Sequence, residues 1–202
     1  MPAVLEALGR AAPERVALED GSRRVSYGEL LALVGAEAAW LARRGVRRCA
    51  LSADNGVGWV VADLALHTAQ LPAIPIPGYF TEAQQRHALD DAGVDGWLTD
   101  DPDAILEREN GFCRAETSPY SGLTLLRRPL DPQAAPPLVE GVTKITYTSG
   151  STGAPKGVCL AGADLDAVAR SLAQVTTRAG TARHLCLLPL ATLLENLAGV
   201  YV

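Results

Sequence analysis

The sequence is short of the residues that build metal centres and disulfide scaffolds, with four cysteines and three histidines in 202 residues. Cys49, Cys113, Cys159 and Cys186 lie far apart, form no CxxC pair and have no histidine at zinc-finger spacing, which argues against a metal site or a disulfide framework. Three of the four stand in or beside apolar runs, so they are expected to be small buried hydrophobes of a reducing compartment. His67, His87 and His184 have no partner at ligand spacing and are expected at helix surfaces or strand ends, and no Gly-x-Ser-x-Gly elbow is present. Long hydrophobic runs are missing too. The most apolar stretch, Leu185 to Val202, is broken by Pro189, Glu195 and Asn196 and falls short of the roughly 20 apolar residues of a spanning helix. Basic charge is scarce, 18 Lys and Arg against 23 Asp and Glu for a net charge of -5, which weighs against a nucleic-acid partner. The N-terminus has no basic segment followed by an apolar run and a small-residue cleavage site, so no signal peptide is read and a cytoplasmic protein is expected.

What is present is an ordinary folding composition, 48% apolar and 20% charged. Arg15 to Glu19 and Arg24 to Ser26 bracket Asp20-Gly21-Ser22 and predict a hairpin. Ser26 with Glu29 has capping-box spacing, and Leu30, Leu31, Val34, Ala38 and Leu41 follow at helical intervals as far as Gly45. Strands are expected at Cys49 to Ala53, Ala73 to Ile76 and Gly96 to Thr99, with helices at Gly58 to Ala69 and Glu82 to Asp91 between them. That alternation predicts an α/β fold with a largely parallel sheet and helices on both faces. Residues 100–139, rich in proline towards the end, read as an irregular connection within the same domain. Gly56-Val57-Gly58 after a strand has Val61 at the third glycine position of a dinucleotide loop, which discounts that reading.

Val142 to Thr148 predicts a strand that runs into Ser149-Gly150-Ser151-Thr152-Gly153-Ala154-Pro155-Lys156-Gly157, with a helical pattern from Asp164. Glycines let backbone amides approach an anion closely, the hydroxyls of Thr148, Ser149, Ser151 and Thr152 add donors, and Lys156 adds a mobile positive charge. Polyphosphate is the guest this composition suits. The segment is not the common P-loop, because Lys156 follows Pro155 and precedes Gly157.

Tyr147 to Val158 resembles the signature loop of the adenylate-forming (AMP-binding) superfamily, which includes acyl-CoA synthetases, peptide-synthetase adenylation domains and luciferases. Ser26-Tyr27-Gly28-Glu29-Leu30, Asn55 through Trp59 and Ala73 through Pro77 resemble earlier segments of that family. Leu187-Leu188-Pro189-Leu190-Ala191-Thr192-Leu193-Leu194-Glu195 resembles its Leu-Pro-Leu-x-His segment beside the acyl pocket, in the form found in long-chain acyl-CoA synthetases, with Thr192 in place of the usual histidine. The resemblance implies that Thr148, Ser149, Gly150, Ser151, Thr152, Gly153 and Lys156 bind the β- and γ-phosphates of Mg-ATP, that Lys156 acts in catalysis, and that Thr192 lines the substrate pocket. It implies ATP, Mg2+ and coenzyme A as cofactors or co-substrates and a carboxylic acid as substrate. The expected activity is formation of an acyl-adenylate with transfer to coenzyme A; loading of a carrier protein by a peptide-synthetase domain, or a non-catalytic nucleotide-binding role, are the alternatives. The family's later Tyr-Gly-x-Thr-Glu and Thr-Gly-Asp segments and its C-terminal domain lie outside residues 1–202. The chain therefore reads as the N-terminal part of an adenylation domain, inactive alone, with Leu193, Leu194, Leu197 and Val200 expected to form a self-associating apolar end.

Overall fold

A computed structural model describes residues 3–108, 111–129, 136–148 and 154–202. Helix α1 (Ala3–Arg10) precedes the predicted hairpin, β1 (Val16–Glu19) and β2 (Arg24–Ser26), which pair antiparallel. The capping box then starts α2 (Tyr27–Ala42): Ser26 Oγ accepts from the Glu29 amide at 3.3 Å, and the Glu29 carboxylate accepts from the Ser26 amide at 2.8 Å. There follow β3 (Cys49–Ser52), α3 (Val57–Thr68), β4 (Ala73–Pro75), α4 (Glu82–Asp91), β5 (Gly96–Thr99), α5 (Pro102–Leu106), β6 (Cys113–Thr117), β7 (Thr124–Arg127), β8 (Val142–Thr148), β9 (Lys156–Ala161), α6 (Gly162–Arg178) and α7 (Leu193–Asn196), which runs into a π-helical turn, Leu197–Tyr201. None of the described helices is long and apolar enough to cross a membrane.

The fold is mixed α/β, with seven strands in the order β6-β7-β5-β3-β4-β8-β9. The central strands β5, β3, β4 and β8 run parallel, as the alternation with helices predicts, whereas β7 and β9 run against them and β6, antiparallel to β7, runs with them again at the edge. Successive side chains of a strand point to opposite faces, and the core divides accordingly. Cys49, Leu51, Leu98 and Leu125 pack under α2, α3 and α6, while Ala50, Trp97 and Leu126 pack on the other face with Ala88 and Leu89 of α4.

Four expectations are corrected. Residues 100–139 are not simply irregular. Asp101 caps α5, accepting from the Ala104 amide at 3.3 Å, with Pro102 at the first helical position, and β6 and β7 extend the sheet. The β6 signal is hidden because Cys113-Arg114-Ala115-Glu116-Thr117 is exposed throughout and carries the charges that suit an edge strand, so it has no apolar alternation. Strand β9 is hidden for the same reason, being exposed over most of its length. The cysteine expectation holds only for Cys49; Cys113 and Cys159 are exposed on the edge strands and Cys186 is partly exposed. At the C-terminal end Leu197 is buried, and the exposed leucines are Leu185, Leu187, Leu188 and Leu194. His67 is also no surface residue. It is buried beside the Tyr201 ring, 5.6 Å between centroids, and burial lowers its pKa so that the imidazole is neutral.

The β1–β2 turn reaches across to α3. Asp20 Oδ1 accepts from the Ser22 and Arg23 amides at 2.9 and 2.7 Å, and Oδ2 accepts from the Val57 amide at 2.9 Å in the first turn of α3. A carboxylate thus fills the helix end that a dinucleotide loop would offer to phosphate. A Cβ at Gly58 would lie 2.5 Å from the Ser121 carbonyl oxygen, so that glycine serves close packing of a helix against a loop. These amide bonds, led by that from Val57, hold the Asp20 carboxyl at about 2, below its usual 3.8. A depressed carboxyl pKa adds stability above its unfolded value and loses it as pH falls through the folded value. The difference in Tm between wild type and Asp20→Ala is therefore expected to be full above about pH 4 and to shrink towards pH 2, read by circular dichroism. A difference that is constant over that window removes Asp20 as the anchor.

Candidate functional site

Strand β3 is where the chain changes direction in the sheet. Helix α3 carries it from β3 to β4 across one face, and α4 carries it from β4 over β3 to β5 across the other. In open α/β sheets the crevice outside the carboxyl ends of the strands at such a point is the usual ligand position. Because β3, β4 and β8 are parallel, the residues after Ser52 and the end of β8 at Thr148 lie on that same edge. Asn55 sits there and grips the Leu-Pro-Leu segment: its Nδ2 donates to the Leu188 carbonyl and its Oδ1 accepts from the Leu190 amide, both at 2.8 Å. The sequence shows Asn55 only as the first residue of a segment that resembles the family. Its partners are more than 130 positions away, so spacing could not reveal its part in holding this segment.

The glycine-rich loop joins two antiparallel strands. Thr148 is register partner of Lys156, the first residue of β9, and both are exposed. Ser149, Gly150, Ser151, Thr152 and Gly153 lie outside the described residues. The base of the hairpin is fixed from α4, which the sequence did not single out. A His87 ring nitrogen is 2.9 Å from the Pro155 carbonyl oxygen, and Tyr147 Oη donates to Asp91 Oδ2 at 2.7 Å. Burial and the Asp91 carboxylate push the Tyr147 phenol far above its usual range, so it stays a neutral donor. The Tyr147 ring lies over Gly157, where a Cβ would come within 3.0 Å of Cζ. The only local hint is that His87 and Asp91 are one helical turn apart on α4. The result is an ammonium and a hydroxyl side by side at the mouth of the loop, and Lys156 has no ion-pair partner among the described residues. Both are donors suited to an anion.

Thr192 stands just before α7, partly exposed, and its Oγ1 donates to the Pro189 carbonyl at 2.7 Å. The hydroxyl is therefore spent on the local turn. Beneath, Lys144 of β8 is buried against Asp63 of α3, with Nζ 2.8 Å from Asp63 Oδ1. Asn196 completes the group, donating to Asp63 Oδ2 at 3.0 Å and accepting from Lys144 Nζ. This network ties the end of α7 to the strand that carries Thr148.

A sequence profile described as AMP-binding enzyme matches residues 5–202. N-(5-amino-5-carboxypentanoyl)-L-cysteinyl-D-valine synthase of Streptomyces clavuligerus is 31% identical over 173 residues, covering 77% of this chain and 21% of the synthase. The 3-[(3aS,4S,7aS)-7a-methyl-1,5-dioxo-octahydro-1H-inden-4-yl]propanoyl:CoA ligase of Mycobacterium tuberculosis is 28% identical over 211 residues, covering 94% of this chain and 42% of the ligase. Among solved structures, O-succinylbenzoate coenzyme A synthetase of Bacillus subtilis in complex with AMP superposes with a TM-score of 0.71 at 23% identity, over 98% of this chain and 52% of the synthetase. The same synthetase in complex with ATP and magnesium ion gives 0.66 at 22% identity, over 98% of this chain and 54% of that one. The chain thus spans less than half the length of the two sequence relatives and about half of the synthetase structures.

Proposed function

The chain belongs to the AMP-binding enzyme family, and from that premise we propose that the intact enzyme uses ATP to activate a carboxylic acid as an acyl-adenylate and passes the acyl group to coenzyme A. The observation that carries the proposal is the β8–β9 hairpin, which sets Lys156 beside Thr148 at the strand-end edge, on either side of a loop with the family's signature order. A carboxylate oxygen attacks the α-phosphorus, the bond from that phosphorus to the bridging oxygen breaks, and pyrophosphate leaves with the electron pair. Negative charge grows on the departing β- and γ-phosphates. Lys156, held beside Thr148 by the hairpin pairing, would meet that charge as it forms, which lowers the barrier more than it tightens ground-state binding. The exposed Thr148 hydroxyl and Lys156 ammonium fit phosphate oxygens but include no carboxylate for a magnesium ion, so magnesium enters this proposal only as the ion that accompanies ATP. Asn55 holds the Leu187 to Thr192 segment where the acyl chain would lie, and threonine at 192 would leave a wider pocket there than a histidine.

A carrier-protein thiol as acyl acceptor is the second reading, favoured by the 31% identity to the Streptomyces synthase. Acid-dependent ATP–pyrophosphate exchange by the intact enzyme, followed by offering coenzyme A or a phosphopantetheinylated carrier, separates the two. The expected result is exchange with at least one class of acid and a coenzyme A thioester. Loading of the carrier alone overturns the acceptor, and no exchange across a broad acid panel overturns the activation itself. In the same assay Thr192→His is expected to shift preference towards shorter acids, and an unchanged profile removes Thr192 from the pocket.

A further inference from the structure

We propose that His184, Cys186 and Glu195 form a binding site for a zinc-like divalent metal ion that fastens the two ends of the segment carrying Thr192. The three stand two and nine positions apart in the chain, a spacing that matches no metal motif, which is why the sequence argued against a metal site. Residues 181–187 have no helix or strand, and the two-residue offset of His184 and Cys186 lets an extended chain turn both side chains one way. Glu195 on α7 meets them: His184 Nε2 is 2.8 Å from Glu195 Oε1, and the ligand atoms of all three lie within 4.8 Å of one another. A tetrahedral zinc ion, with bonds of about 2.0–2.3 Å, holds its ligand atoms roughly 3.3–3.8 Å apart, so small side-chain movements close the set around one ion.

Two further features favour a metal over a bare hydrogen-bonded trio. The first is space. A Cβ at Gly199 would lie 3.0 Å from both Cys186 Sγ and His184 Nε2, so the π-helical turn comes this close to two of the ligand atoms because glycine stands there, and any larger residue would crowd them. The second is chemistry. Thiolate, imidazole and carboxylate are a zinc donor set, the two negative ligands balance a dication, and the Glu195 side chain is only 9% exposed. The His184 side chain, 40% exposed, leaves the fourth coordination position on the solvent side. Bound metal would close residues 184–195 into a loop pinned at its base by the ion and at its middle by Asn55. This proposal is independent of the adenylation reading.

The test uses reduced, metal-free chain carrying Cys113→Ser and Cys159→Ser, which leaves Cys186 as the only thiol outside the core, and titrates it with Co2+. One equivalent is expected to give a thiolate-to-cobalt charge-transfer band with visible absorbance of tetrahedral type, bleached by one equivalent of Zn2+. Cys186→Ser is expected to abolish the charge-transfer band. Glu195→Gln, and Gly199→Ala without touching a ligand, are expected to weaken Zn2+ binding at least about tenfold while the far-ultraviolet circular dichroism is unchanged. No charge-transfer band in the parent, or a band that survives Cys186→Ser, overturns the site. Should Gly199→Ala disturb the fold, the cobalt spectra of the parent and of Cys186→Ser decide alone.

Discussion

Replacing Lys156 by alanine in the intact enzyme is expected to lower kcat/KM for acid-dependent pyrophosphate release by roughly 30- to 900-fold. That range corresponds to about 2–4 kcal/mol of transition-state stabilisation, the size of effect seen when one preorganised donor is removed from a developing negative charge. Lys156 reaches its place through backbone pairing with Thr148, and the strand start is clamped from α4 by His87 at the Pro155 carbonyl and by Tyr147 bonded to Asp91. The loss should therefore fall mainly on kcat, with KM for ATP changed less, because an interaction realised only as the pyrophosphate departs contributes little to ground-state binding. Pyrophosphate release by Lys156→Ala at the wild-type rate would take Lys156 out of the chemistry, and a loss confined to KM would make it a binding residue only.

The largest expected effect on stability is at Lys144. The Lys144 and Asp63 side chains are 2% and 0% exposed, so neither charge can recover its hydration when its partner is removed. Lys144→Ala is expected to cost about 3–5 kcal/mol, the usual penalty for stranding one member of a buried ion pair. Domains hold only about 5–15 kcal/mol in total, so the variant approaches the unfolding threshold. Urea unfolding should show a lower midpoint at an unchanged slope. Lys144→Met with Asp63→Asn, which removes both charges and leaves a group that can still pair with Asn196, should recover at least half of the loss. A single variant as stable as wild type removes the pair from the stability argument.

Much of the framework was legible because it is local. Ser26 and Glu29 declare their helix within four residues, and Cys49 to Ser52 and Gly96 to Thr99 are short and wholly or almost wholly buried, as interior parallel strands are. Strands β6 and β9 were not legible, since an edge strand bathed in solvent needs no apolar alternation. The Lys144 pair was hidden for a different reason. Nothing in Val-Thr-Lys-Ile-Thr-Tyr-Thr marks the lysine as an interior residue, and its partner is a carboxylate 81 residues earlier. The loop residues carrying the family signature were legible by their order, whereas the His87, Tyr147 and Asp91 clamp and the Asn55 tie depend on contacts that no local pattern records.

The pairing of β4 with β8 has a consequence in time. It joins Ala73 to Lys144, 71 positions apart (144 − 73), whereas β8 and β9 meet across the few residues between Thr148 and Lys156. Local pairings close quickly and distant ones wait on loop entropy, so the β8–β9 hairpin is expected to form early and its docking on β4 to limit the folding rate. During synthesis β3, β4 and β5 emerge first, and the free edge of β4 must stand open until some seventy further residues have followed. That edge is three residues long and ends in Pro75, which has no amide to donate, so it is a poor template for a foreign strand during the wait.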